Sequence, residues 1–345
     1  MALLGNALFW AALAAVLFGQ RRRVAFWPLL ALALLLLFDQ LCLPGFFGLE
    51  IRGGHLYGTR IDILNEGAKV MLLTLGMTLV IATGGVDLSV GAIMAIAGAV
   101  AAQASVAAHL PAGAAIALAL GVSLLAGAWN GLLVAVLRIP PIVATLILMV
   151  AGRGVAQLIT GGQIINFNDP ALVYLGTGWF LGLPFTLTLV LAAFGLTALL
   201  TRRTALGLFI EAIGDSETAS RYTGLPAHTV TFFVYVFSGF CSGLAGLVAA
   251  ADIRSADANH AGLYLELDAI LAAVVGGTSL TGGRFHLAGA LVGALLMQTL
   301  TTTLYACNVS ADVAPVPKAL VILAACVLQS PTLRARWARR TRPAR

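Results

Sequence analysis

Charge is what this sequence has least of. Lys, Arg, Asp and Glu make up 10% of the 345 residues and apolar residues 60%, whereas a soluble domain carries about a quarter charged residues and about half apolar. So little polar surface cannot cover a water-facing globule, and a soluble multidomain enzyme is excluded. Lysine is scarcest, with only Lys69 and Lys318. A G-x-x-x-x-G-K-[ST] phosphate loop needs a lysine after its glycine spacing, and neither stands in one. If ATP drives this protein, the nucleotide and its Mg are held by another subunit. The four cysteines, Cys42, Cys241, Cys307 and Cys326, form no C-x-x-C pair and have no His at ligand spacing. Buried inert thiols are expected, with no metal. The net charge of +6 does not point to nucleic acid, because the basic residues flank apolar runs and are not interleaved with aromatics. They read as orientation signals in a bilayer.

What the chain does contain is long uncharged sequence. No charged residue occurs in 88–137, 171–201, 222–251 or 285–311, and about 20 apolar residues span a hydrocarbon core. Apolar segments at about 26–46, 68–86, 88–108, 112–136, 140–160, 183–201, 228–251, 267–283, 287–306 and 315–330 predict an all-α polytopic membrane protein of about ten transmembrane helices. With Arg21, Arg22 and Arg23 inside, Arg138, Arg202, Arg203, Arg221, Arg284 and the Arg-rich tail after residue 330 also fall inside. The positive-inside rule then closes on a cytoplasmic C-terminus. Residues 3–19 are a further apolar stretch, an eleventh span or an interfacial extension, and the order of charge is the reverse of a secretory signal. The division expected is an extension and basic cluster over 1–25, a transmembrane domain over 26–330, and a basic cytoplasmic tail over 331–345. Two long outer segments, 47–67 and 161–182, serve as a solvated cap or as a contact surface.

Polar residues inside apolar runs carry the functional signal. "GMTLVIATGGVDLSVG" (76–91) is broken by Gly84, Gly85, Asp87 and Ser89, and "VVGGTSLTGGR" (274–284) by Gly276 and Gly277. The two align: Gly84 and Gly85 with Gly276 and Gly277, Ser89 with Thr281, Gly91 with Gly283. Paired Gly-interrupted segments point to a transport pathway, since unwound backbone is tolerated at depth only where protein or water satisfies it. Close helix packing selects small residues too. Both breaks fall toward the cytoplasmic ends of their helices, which suits a gate or hinge. Arg153 is the one basic residue well inside a span and must find acceptors in the bundle. Gln157 lies one turn along the same face. The pair suits sugar hydroxyls and equally suits a clamp between helices. Glu266 and Asp268 open an apolar helix, where negative charge complements the helix dipole.

The longest cytoplasmic connection, 202–227, contains "EAIGDSETASRYTG". A short helix beginning at Glu211 and Ala212 is expected there, with Gly214 allowing close approach and Gly224 with Pro226 ending it. On these marks, together with "GMTLVIATGGVDLSVG" and "ELDAILAAVVGGTSLTGGR" from Glu266, the chain resembles the membrane subunits of bacterial ATP-binding-cassette sugar importers of the ribose, galactose and galactofuranose type. The resemblance runs from about residue 26 to 330. It implies a permease in the bacterial inner membrane that translocates a monosaccharide. Its partners would be cytoplasmic ATPase subunits, a periplasmic sugar-binding protein, and a second copy or sister permease. It carries over Glu211, Ala212, Gly214, Ala219 and Gly224 as the segment that sits in the ATPase cleft. Ser220 departs from the usual Ala.

Two other classes compete. An ion-coupled secondary sugar carrier would use Asp87 as ion ligand, yet such coupling needs several ligands near the midplane, and the charge-free runs offer no further carboxylate. A membrane aspartyl protease would need two facing carboxylates, and Asp215 lies in a charged cytoplasmic stretch.

Overall fold

A computed structural model describes residues 26–323 apart from positions 44, 45, 47, 49, 53, 311, 321 and 322. The expectations for residues 3–19, for Cys326 and for the tail after residue 330 lie outside the described residues.

The chain begins with α1 (Phe26–Cys42) and a small hairpin, β1 (Glu50–Arg52) against β2 (His55–Tyr57). Four long helices follow: α2 (Thr59–Ala82), α3 (Val90–Val106), α4 (Ala112–Gly131, extended by a π-helical turn to Val136) and α5 (Pro141–Thr160). The outer segment then carries β3 (Ile165–Asn166), α6 (Pro170–Thr177) and the pair β4 (Trp179–Phe180) and β5 (Leu183–Pro184). Next come α7 (Phe185–Arg203), the short helices α8 (Leu206–Asp215) and α9 (Glu217–Tyr222), and α10 (Ala227–Ile253). Then come β6 (Ser255–Ala256), α11 (Leu265–Val275) and α12 (Leu287–Ala306), and residues 315–320 are helical as well.

Prolines set where these helices begin. Pro141 and Pro170 stand in the first turns of α5 and α6, and Pro111, Pro184 and Pro226 precede α4, α7 and α10. A helix start needs no N–H there, so proline costs nothing. The Asp169 side chain caps α6 by accepting from Ala171 N and Leu172 N. Gly161, at φ 62°, ends α5 in the left-handed conformation that glycine adopts freely.

Six described helices are long and apolar enough to cross a membrane: α2, α4 with its extension, α5, α7, α10 and α12. They divide by burial. The most apolar stretch of α2 is 78% buried and that of α10 is 61%, but α5 reaches only 22% and α4 and α7 only 28%. The first pair forms the axis of the bundle, and the others turn leucines and isoleucines outward, as lipid contact requires. α4 packs tightly on α10 because the two touch through glycines. A Cβ at Gly127 would lie 2.5 Å from the Tyr235 carbonyl oxygen, and one at Gly239 would lie 2.5 Å from that of Ser123. This is the small-residue contact that brings membrane helices into backbone range. Asp39 fastens α1 to α12, accepting from Thr303 Oγ1 at 2.8 Å.

Two boundaries and one burial expectation differ from the sequence reading. α2 starts at Thr59 rather than near 68, because Glu66 and Lys69 pair with each other inside the helix (Lys69 Nζ to Glu66 Oε2, 2.5 Å). The apolar run 267–283 is helical only to Val275, since Gly277 takes φ 100°. Of the three described cysteines only Cys241 is buried; Cys42 and Cys307 are exposed at helix ends.

Candidate functional site

Both interrupted segments are hairpin tips. After α2 the backbone passes through Gly84, exposed and at φ 83°, and then climbs back into the bundle. Asp87 and Ser89 are wholly buried there. Asp87 Oδ1 accepts from Ser89 N at 3.0 Å and Ser89 Oγ at 2.6 Å, and Asp87 Oδ2 accepts from Ser238 Oγ at 2.8 Å. Asn130 Nδ2 donates to Ser89 Oγ at 2.7 Å and reaches Asp87 Oδ1 at 3.4 Å. Ser238 lies about three turns into α10, so this knot ties α3, α4 and α10 together deep in the protein. α3 therefore starts inside the bundle. Sequence reasoning named Asp87 and Ser89 but missed Asn130 and Ser238. The available signal was that Ser123 and Asn130 are the only polar residues of α4.

The second tip, 276–286, packs against its own hairpin partner. A Cβ at Gly276 would lie 2.5 Å from Ala290 Cα at the start of α12. The His286 ring caps α12 by accepting from Gly289 N at 2.9 Å. Ser279 and Thr281 pair their hydroxyls at 2.8 Å on the exposed side.

The two tips touch. Gly283 N donates to Ala82 O at 3.0 Å, so the halves of the internal echo are physical neighbours. The third member of the junction is Gly214, near the end of the short helix α8. A Cβ at Gly214 would overlap both the Ala82 carbonyl oxygen and the Gly283 nitrogen, and one at Gly282 would lie 2.6 Å from Gly214 O and 3.0 Å from Gly84 N. Only glycine lets three backbones meet this closely.

The segment 202–227 folds as two helices, where a single one from Glu211 to Gly224 was expected. Ser216 breaks it and caps α9, its Oγ accepting from Ala219 N at 3.2 Å. Ile210 and Ile213 of α8 are buried against the bundle, Ala212 is half-buried, and Glu211, Ala219 and Gly224 are exposed. Ser220 is buried, which accommodates its small hydroxyl where Ala is usual. Leu208 (71% exposed) and Tyr222 (87% exposed) add an outward apolar face that the sequence did not single out.

Arg153 finds its acceptors in backbone. Its Nη1 donates to Ala261 O at 2.5 Å and Ala258 O at 3.1 Å, and Gln157 Nε2 donates to Asn259 Oδ1 at 2.8 Å. The pair thus clamps α5 to the segment after α10. That segment runs from the outer end, where Ser255–Ala256 pairs with Ile165–Asn166, down to Gly262, which packs on Gly91 at the start of α3. Within it Asp257 accepts from Asn259 N at 2.9 Å and pairs with His260 Nδ1 at 2.8 Å. Partial burial works against its charge, but the bonds from His260 and the backbone N–H groups outweigh it and hold the carboxyl below its ordinary value.

The geometry is thus two Gly-broken segments, a buried polar knot and one short helix packed on both tips. Residues 59–328 match the family described as branched-chain amino acid transport system / permease component. The chain belongs to this permease family. It is 52% identical to the galactofuranose transporter permease protein YtfT of Escherichia coli K12, over 88% of this chain and 90% of that one. It is 40% identical to the fructose import permease protein FruF of Bifidobacterium longum, over 89% and 88%. It is 36% identical to the ribose import permease protein RbsC of Escherichia coli K12, over 88% and 92%. No solved structure matches. The family and these names bear out the resemblance read from the sequence motifs, and they favour an importer permease over a secondary carrier.

Proposed function

We propose that this chain is the membrane subunit of an ATP-driven importer that carries a monosaccharide of the galactofuranose, ribose or fructose class across the bacterial inner membrane. It would have about ten spans and a cytoplasmic C-terminus. It would pair with a second permease, draw its power from a cytoplasmic ATPase that binds ATP and Mg, and receive sugar from a periplasmic binding protein. The observation that carries this reading is the junction at Gly214. A push or pull on α8 from below reaches Ala82 and Gly283 directly, so one cytoplasmic contact can move the tips of both hairpins. The exposed Glu211, Leu208 and Tyr222 offer the ATPase a surface on α8 and α9. Gly84 and Gly85 act as the hinge of the first tip, and Gly276 and Gly277 as that of the second. Asp87 and Ser89 lie within the gate, and Arg153 with Gln157 hold its outer wall.

The test is uptake in sealed vesicles. Permease co-reconstituted with its ATPase and binding protein should accumulate sugar only with ATP. Permease alone, given a proton or sodium gradient, should accumulate none; accumulation there would overturn the reading in favour of an ion-coupled carrier.

A further inference from the structure

A cavity of about 390 Å³ lies in the outer half of the bundle, between α2, α3, α10, α12 and the segment after β6. Small-molecule sites are typically about 300 to 1,000 Å³, mostly apolar with a few convergent polar groups. This one fits that description. Its floor is small and apolar, from Ala95 to Ala249, and its polar groups include Glu66, Lys69, Asp257 and His260, with Tyr305 at the outer end. Lys69, 16% exposed, is already committed, to Glu66 at 2.5 Å and to Asp252 at 3.0 Å. One ammonium therefore stands between two carboxylates, Glu66 and Asp252, and the third carboxylate at the cavity, Asp257, is paired with the exposed His260.

That balance selects the ligand. An ionised carboxylate only accepts hydrogen bonds, at about four positions, so these groups suit a molecule rich in hydroxyl donors. A phosphate or an amino-acid carboxylate would meet like charge and find the lysine taken. Gly262, in the cavity lining, packs directly on Gly91 at the start of α3.

We propose that this cavity is an outer waiting site for an uncharged monosaccharide, whose hydroxyls donate to Glu66 and Asp257 while its ring lies against Tyr305. The proposal rests on the importer reading above and adds to it a place within the single subunit and a rule of selection: neutral sugars enter, sugar phosphates and branched-chain amino acids do not.

The experiment uses the complete importer in vesicles with tritiated ribose, fructose and galactose. Wild-type vesicles that take up none of the three would count against the importer reading itself. With uptake established, Ala249→Phe places a ring in the cavity and should lower uptake at least tenfold, while co-purification with the ATPase persists. Asp257→Asn should raise KM at least fivefold more than it lowers the maximal rate. An excess of ribose 5-phosphate or leucine should not compete. Wild-type KM and rate in both variants, or competition by leucine, would overturn the site. If Ala249→Phe does not assemble, Asp257→Asn decides alone, since it keeps the shape of the loop.

Discussion

The two Gly-broken segments read alike in sequence and behave differently in the fold. At 83–89 the break is held from three sides: Asp87 and Ser89 are fully buried and bonded to Asn130 of α4 and Ser238 of α10. At 276–286 the position matching Ser89 is Thr281, which is exposed and bonds only its neighbour Ser279, and Leu280 is 55% exposed. One break is anchored by side chains, and the other is held by backbone packing on Ala290 and Gly214 and by Gly283 N on Ala82 O. A repeated motif thus supplies two unlike parts, one bonded through side chains deep in the bundle and one held through backbone contacts at its tip.

The comparison breaks most completely at the place both tips share. Gly214→Leu puts a branched side chain where even a Cβ overlaps Ala82 and Gly283, so α8 must separate from one tip or both. Uptake by the reconstituted importer should fall to background, with ATP hydrolysis no longer responsive to sugar. Normal uptake by Gly214→Leu would show that the tips need not stay joined to α8.

A smaller effect distinguishes anchor from tip. Asp87→Ala leaves the Ser89 N–H and the hydroxyls of Ser89 and Ser238 without their acceptor in a buried site. Each unpaired group costs about 1–3 kcal/mol, so a loss of about 3 kcal/mol or more is expected. The matching substitution in the other break, Thr281→Ala, removes an exposed hydroxyl and should stay within about 0.5 kcal/mol. Thermal unfolding of the two variants in detergent measures both. Equal shifts would erase the distinction between the breaks.

Much of this was legible before any coordinates. Charge-free runs gave the helices, Gly84 to Ser89 and Gly276 to Gly277 marked the breaks, and the need for acceptors around Arg153 was answered by Ala258 and Ala261. What stayed hidden was contact between segments distant in the chain. Nothing in "EAIGDS" says that its glycine meets Ala82 and Gly283, because a small residue reports only that something comes close, never what. Asn130 and Ser238 were passed over for the same reason: single polar residues in apolar helices have no periodicity to announce a partner. The end of α11 at Val275 was masked by hydropathy, which runs on through Gly276 and Gly277 although the backbone turns.

The smallest effect probes the side of the anchor that faces Gly84 and Gly85. Tyr235 is fully buried, its hydroxyl has no partner among the described residues, and a Cβ at Gly85 would lie 2.5 Å from it. With Gly84, Gly85, Arg138 and His228 it lines an inner cavity of about 380 Å³ below the knot. A buried hydroxyl without a partner contributes nothing favourable, so Tyr235→Phe should leave the unfolding temperature unchanged or raise it slightly, by about 1 kcal/mol or less in stability. If the first tip is an anchor in every state of the cycle, uptake will be unchanged as well. If the tip shifts when α8 moves, the hydroxyl gains a partner in the moved state, and Tyr235→Phe will slow uptake while leaving the resting protein as stable as before. A fall in both stability and uptake fits neither case and would mean that the hydroxyl is already bonded at rest.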